Sequence, residues 1–190
     1  IKLDIIIAPD YNDDALELLR KKKATRILRL PNREGFRVPE MDVRPITGGM
    51  LVQEPDIEIE DPAAWNVVTE RRPTTREQAD LEFAWRIMPL IKSNAILFVK
   101  DRAIVGLGAG QPNRLESVAI AARKAGEKAN GAVMASDAFF PFADGIERAI
   151  EAGISAVIQP GGSLRDDEVI EAANRAGISM TFTGRRHFRH

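Results

Sequence analysis

A chain of 190 residues suits one domain, and folding at that size buries about 70% of the unfolded surface. Its 44% hydrophobic and 29% charged residues are ordinary for a globular protein, and a net charge of -1 points to neither a nucleic-acid partner nor a membrane surface. The absence of cysteine excludes disulfides, thiolate nucleophiles and thiolate zinc sites, and no apolar run reaches the ~20 residues of a membrane span, so a cytoplasmic location is expected.

The opening Ile1-Lys2-Leu3-Asp4-Ile5-Ile6-Ile7 has no initiator Met and no signal-peptide layout. It reads as a buried strand, which implies a cut or processed product of a longer protein. Ile5 to Ala8 is a continuous apolar run stopped by Pro9. Asn12-Asp13-Asp14 opens a helix through Leu16, Leu18 and Leu19, with Lys21 to Lys23 near the C-terminal end that favours positive charge. Residues 24–30 give a second strand. Residues 31–75 are proline-rich and least regular, with strand-like pieces such as Met50-Leu51-Val52-Gln53. Thr75 is the N-cap candidate of a helix whose Leu81, Ala84, Trp85 and Met88 form a core-facing stripe.

From residue 94 strands and helices alternate. Ala95 to Val99 and Ala103 to Leu107 flank Lys100-Asp101-Arg102 as a hairpin. Pro112 to Lys124 is a helix with Leu115, Val118, Ala119 and Ala122 on its apolar face and Gly126 as its stop. Ala132 to Ala135 and Ile154 to Ile158 are strands around a helix over Gly145 to Ala152. Ser163 to Ala176 is a helix with Ser163 and Asp166 as a capping box, and Ile178 to Phe182 is the last strand. This order predicts a layered α/β domain with a mostly parallel sheet, which the hairpin makes mixed.

Ligands of such sheets gather at the carboxyl ends of strands, and four loops qualify. Asn94, in Lys92-Ser93-Asn94, offers a donor and an acceptor without proton exchange, or serves as a strand-entry turn. Gly106-Leu107-Gly108-Ala109-Gly110-Gln111-Pro112-Asn113-Arg114 is either a tight turn or a loop approaching an anion at a helix start. Its G-x-G-x-G spacing after a hairpin is not a dinucleotide fingerprint. Ala135 to Gly145 holds Phe139, Phe140, Pro141 and Phe142. It is either a cover over the core or an apolar slot for a flat heterocycle, with Asp137 or Asp144 fixing a polar edge. The terminal Arg185-Arg186-His187-Phe188-Arg189-His190 is either a solvated tail or a phosphate and proton-transfer element. No G-x-S-x-G nucleophile elbow occurs, and the two histidines lack further ligands for a zinc site.

Five ordered motifs carry a resemblance. They are Lys92-Ser93-Asn94-Ala95-Ile96, Gly106 to Gln111 with Arg114, Ser136 to Phe142, Gln159-Pro160-Gly161-Gly162-Ser163, and Arg186-His187-Phe188-Arg189-His190. Ile6 to Asp10 and Gly48 to Gln53 fit the same pattern. Together, over essentially the whole chain, they closely resemble the bifunctional purine-biosynthesis enzymes with AICAR transformylase and IMP cyclohydrolase activities. The resemblance implies a three-layer, cytidine-deaminase-like fold without the deaminase zinc, with residues 1–190 as the second such subdomain of the transformylase. The implied reaction moves a formyl group from 10-formyltetrahydrofolate, the cosubstrate, to the 5-amino group of AICAR in IMP biosynthesis. The implied assembly is a homodimer with sites across its interface.

Residue by residue, the resemblance puts Asn94 at the formyl-transfer centre and His190 in support of proton transfer. It puts Asn113 and Arg114 beside nucleotide and folate. Phe139, Phe140, Pro141, Phe142 and Asp144 match the loop receiving the carboxamide and the folate ring. Arg186 and Phe188 match residues around the nucleotide, with Arg186 at its phosphate. Ser93 and Asp137 match surroundings of a structural potassium ion, although Ile91 and Ala95 replace hydroxyl residues found there in some members. The family's Lys-His-x-Asn-Pro motif and the cyclohydrolase domain do not occur in this sequence, so the chain alone is expected to be inactive without the remainder of the enzyme or a companion chain. The alternative is a non-catalytic nucleotide-binding or assembly module. A deaminase of the usual zinc type is disfavoured by the missing cysteines and His-x-Glu.

Overall fold

Ile96-Leu97-Phe98-Val99 is apolar at every position, as a strand covered on both faces must be. It forms β6 (Ile96–Lys100), whose first four residues are buried. Ile96 and Phe98 join one hydrophobic cluster, while Leu97 and Val99 join another. That alternation, with period two, makes β6 the divide between two cores.

The computed structural model describes residues 3–31, 41–56, 58 and 60–189. The chain divides into two units, Ile1–Pro55 and Asp56–His190. In the second unit β5 (Asn66–Val67), β6, β7 (Ala103–Gly108), β8 (Val133–Ser136), β9 (Ala156–Gln159) and β10 (Ser179–Phe182) form one sheet in the order β5-β10-β9-β8-β6-β7. β8, β9 and β10 pair in parallel. β6 runs antiparallel to both β7 and β8, and β5 antiparallel to β10. The expected mixed character holds, but the mostly parallel pairing does not. The hairpin inserts β6 between β7 and β8, and the two-residue β5 adds an antiparallel edge.

One layer is α2 (Thr75–Ile87), whose Leu81, Ala84 and Trp85 are buried with the neighbouring Met88 against Ala95, Leu97, Val99, Val133, Ala135, Ala156 and Ile158. The opposite layer is α3 (Arg114–Ala125), α4 (Asp144–Glu151) and α5 (Asp166–Arg175), packed on Ile96, Phe98, Met134, Val157 and Met180. The sheet is therefore sandwiched between helices. The cap of α2 is Thr74, one residue before the expected Thr75: its side chain accepts from the Glu77 amide, and Glu77 reaches back to the Thr74 amide.

Two expectations give way for stated reasons. The buried face of α3 is Ser117, Val118, Ala121 and Ala125, and Leu115 is exposed. Gly106 and Gly108 set this face. A Cβ on Gly108 would lie 2.0 Å from the Ser117 carbonyl oxygen, and one on Gly106 2.3 Å from that of Ala121. At Ser163 the capping box does not form. α5 starts at Asp166, Ser163 Oγ accepts from the Arg165 amide, and Asp166 Oδ2 turns back to the Gly162 amide at 2.7 Å.

The first unit holds β1 (Ile5–Ala8), paired in parallel with β2 (Arg26–Arg29), α1 (Asp13–Arg20) between them, and an antiparallel pair of β3 (Asp42–Ile46) and β4 (Gly49–Gln53). Asn12 caps α1 as its position suggested. The expected burial of β1 is not found: Ile5 is 50% and Ile7 59% exposed. None of the described residues of this unit is buried. Among the described residues no helix is long and apolar enough to cross a membrane.

Candidate functional site

The hairpin places the start of β6 beside the end of β8, so residues flanking both meet at one sheet edge. Asp137, the residue after β8, is fully buried. Its Oδ2 accepts from the Ala95 amide at 2.9 Å, and its Oδ1 lies 3.0 Å from Arg114 Nη2. Arg114, the first residue of α3, also donates through Nη2 to Asn94 Oδ1 at 2.9 Å and through Nη1 to the Phe139 carbonyl at 3.2 Å. Asn94 Nδ2 donates to the Gln111 carbonyl at 2.8 Å, and its own carbonyl accepts from Ser117 Oγ at 2.9 Å. One guanidinium thus ties together three of the four predicted loops.

This network forms one wall of a cleft of about 410 Å³ lined by Asn94, Asn113, Arg114, Phe140, Pro141, Phe142 and Asp144, among others. An asparagine amide has two N–H groups and two acceptor lone pairs. Asn94 uses one N–H and one lone pair internally, so one of each stays available to a molecule in the cleft. Arg114 is locked by its three bonds. A cation in the first turn of a helix opposes the dipole, and the buried Asp137 carboxylate compensates for it.

The Phe loop divides the two readings made of it. Phe140 belongs to the core, with a Gly145 Cβ position only 2.5 Å from its ring, and its amide donates to the buried Gln159 Oε1 at 3.1 Å. Phe142 is half exposed, under the Arg165 guanidinium at 4.8 Å. Phe139 is partly buried, and its carbonyl holds Arg114. Asn113 and Asp144 line the cleft but spend an oxygen on helix starts: Asn113 Oδ1 accepts from the Leu115 amide, and Asp144 Oδ1 from the Gly145 amide.

The tail is docked. His187 is 2% exposed and its amide donates to the Asp137 carbonyl at 2.9 Å. Ser93 and Arg189 exchange two hydrogen bonds, Ser93 amide to Arg189 carbonyl at 2.9 Å and Arg189 amide to Ser93 Oγ at 3.1 Å. Arg186 is exposed, with its guanidinium 5.2 Å from the Phe188 ring. His190 lies outside the described residues.

Ser93 Oγ accepts from the Arg189 amide, and Asp137 accepts from the Ala95 amide and lies against the positive charge of Arg114, which would compete with a cation there. Among the described residues there is no group of three or more His, Cys, Asp or Glu side chains able to hold a metal.

The Gly106 and Gly108 stretch is neither the tight turn nor the ligand loop that its composition suggests. It lies inside β7 and serves helix packing, while Gly110, at φ +69°, makes the turn. Sequence reasoning missed Ser117 and gave Gln159 no role beyond its motif; both are buried polar residues, and they hold Asn94 and Phe140.

A family model described as "AICARFT/IMPCHase bienzyme" matches residues 1–124. A Dictyostelium discoideum protein named "Bifunctional purine biosynthesis protein purH" is 53% identical over 195 aligned residues, covering 98% of this chain and 36% of that protein. The similarly named proteins of Streptococcus agalactiae and Streptococcus pneumoniae are each 53% identical, covering 100% and 99% of this chain and 37% of each relative. The chain thus spans little more than a third of the length of these relatives. Among solved structures it is similar to "Acinetobacter baumannii RibD, form 2" at 22% identity and a TM-score of 0.36, over 55% of this chain and 33% of that one. With the family model covering well over half of its residues, the chain belongs to the AICARFT/IMPCHase bienzyme family.

Proposed function

We propose that this chain supplies one wall of an AICAR formyltransferase site, where a formyl group passes from 10-formyltetrahydrofolate to the 5-amino group of AICAR in cytoplasmic purine biosynthesis. The observation that carries this reading is Asn94, pinned by Arg114 and Gln111 at the cleft with one donor and one acceptor left over. Its free acceptor is suited to orient a weakly nucleophilic aromatic amine, and its free N–H to hold the formyl oxygen as negative charge develops there. Fixing two reactants in this way removes entropy from the barrier. Phe142 and Pro141 offer apolar surface to a flat ring, and exposed Arg186 offers bidentate contact to a phosphate.

The finer fold assignment, a cytidine-deaminase-like subdomain, belongs to the same reading. The two helical layers around a mixed sheet support it. A homodimer and a remaining part of the enzyme belong to the same reading, and the relatives' greater length supports the remaining part.

One observation favours a narrower role for the isolated chain, that of a nucleotide-binding module needing a companion. Among the described residues that line the cleft the only carboxylate is Asp144, and none is a histidine or lysine suited to proton transfer near neutral pH. The base would then come from outside these residues, as from the remainder of the enzyme that the relatives' length implies.

Calorimetric titration with AICAR tests the reading. The 190-residue chain should bind it, and Arg186→Ala should weaken binding about tenfold or more, as loss of a charged phosphate contact does. Identical titrations of the two proteins would count against the nucleotide site.

A further inference from the structure

Asp56, Glu58 and Glu60 alternate along the chain where the second unit begins, and Arg185 and His187 alternate where it ends. The two sets meet. His187 Nδ1 lies 2.8 and 3.0 Å from the two oxygens of Asp56. A carboxylate can only accept, so Nδ1 carries the proton. Arg185 pairs with Glu58 through Nη1 and with Glu60 Oε1 through Nε at 3.4 Å. The other oxygen of Glu60 accepts from Trp85 Nε1 at 2.8 Å, and the Trp85 ring lies 4.7 Å from the His187 ring.

Burial alternates along the same tail. Arg185 is partly buried, Arg186 exposed, His187 buried and Phe188 exposed. Two adjacent arginines are thereby sorted. Arg185 is occupied by carboxylates, and Arg186 has no carboxylate partner among the described residues.

We propose that Asp56, Glu58 and Glu60 are positioning residues, an acidic latch that holds Arg185 and His187 and so presents Arg186 and Phe188 outward to the phosphate end of a nucleotide. The latch itself rests on the contacts above, while the nucleotide and its meeting with Arg186 rest on the transformylase reading. It also fixes the His187 amide on the Asp137 carbonyl, so the tail and the Asn94–Arg114–Asp137 network share one anchor. Docking the tail in advance raises apparent affinity, because affinity scales with the fraction of molecules already competent.

The test uses the 190-residue chain and the Asp56→Asn/Glu60→Gln double variant, with amide hydrogen exchange and AICAR titration as readouts. Opening the latch should speed exchange at His187 and Arg189 about tenfold or more while leaving Phe98 and Met134 in the central strands unchanged. AICAR affinity should fall by a similar factor. Arg186→Ala, costly in the parent, should cost less than about twofold more in the open background, the coupling expected of residues acting through one another. Asp56→Glu alone, which keeps a carboxylate there and leaves Glu60 in place, should leave both readouts near those of the parent. Unchanged exchange at His187 and Arg189 would overturn the latch. An equal Arg186→Ala cost in both backgrounds would overturn its positioning role. Should the parent chain fail to bind AICAR, the transformylase reading loses its support while the exchange arm still decides the latch.

Discussion

Nη2 of Arg114 lies 3.0 Å from Oδ1 of Asp137 and 2.9 Å from Oδ1 of Asn94, so a single nitrogen holds both a fully buried carboxylate and the amide proposed to orient the reactants. Removing that guanidinium strands the Asp137 charge away from water. Breaking one partner of a buried pair costs about 3–5 kcal/mol. Arg114→Ala should therefore lower the denaturant-derived unfolding free energy by that order, and adding Asp137→Asn should recover part of the loss. If the single variant unfolded at the parent's denaturant concentration, the pair would have no structural weight.

The α3–β7 contact gives a second expectation. A methyl group at Gly108 would sit 2.0 Å from the Ser117 carbonyl oxygen, so helix or strand must shift. Gly108→Ala should destabilise by at least the 1–3 kcal/mol typical of overpacking. Because Ser117 holds the Asn94 carbonyl, AICAR binding should weaken as well. Gly49→Ala, with nothing within 4 Å, should stay within about 0.5 kcal/mol of the parent and serves as the control for thermal denaturation.

Glu77 supplies a pH dependence. Burial alone would raise its carboxyl above the ordinary 4.5, but hydrogen bonds from Arg71, Ser155 and Thr74 outweigh burial and hold it lower. The folded state therefore releases this proton more readily than the unfolded one. The resulting stability is complete above about pH 4.5 and is lost as pH falls through the lower folded value. Glu77→Gln should be less stable than the parent at pH 7, and the gap in unfolding free energy should close on acidification. A gap that widened in acid would reverse the assigned direction.

Asn94 bears on turnover. In a complete enzyme carrying this segment, Asn94→Ala should reduce kcat about a hundredfold, the usual scale for losing one donor to developing charge. KM for AICAR should move far less, since Arg186 and the apolar loop remain. Steady-state rates with varied AICAR separate the two, and an unchanged kcat would remove Asn94 from the chemistry.

The elements after residue 94 were legible because each is an apolar run or stripe closed by Gly or Pro, and the periods of two and 3.6 are local signals. What was not legible depended on distant partners. β5 is two residues long and exists by pairing with Thr181 and Phe182. His187 looked like part of a polar tail, yet it is buried against Asp56, 131 residues earlier. Gly106 and Gly108 fit a ligand loop in the sequence, because nothing there shows that the helix starting a few residues later folds back across them. Asn94 and Arg114 were picked out as separate candidates, but only the fold shows that they touch.

The first unit, with none of its described residues buried and with Ile5, Ile7, Leu18 and Leu30 largely in contact with solvent, has a consequence for how the polypeptide ages in a cell. Its peptide bonds lack the packing that keeps a chain out of a protease's active-site groove, and Lys21, Lys22, Lys23 and Arg26 offer cleavage points there. Unless another surface shields it, digestion should trim the chain within this unit and slow beyond its boundary at Pro55, as the chain reaches Trp65 and Val68, which pack against the two hydrophobic clusters.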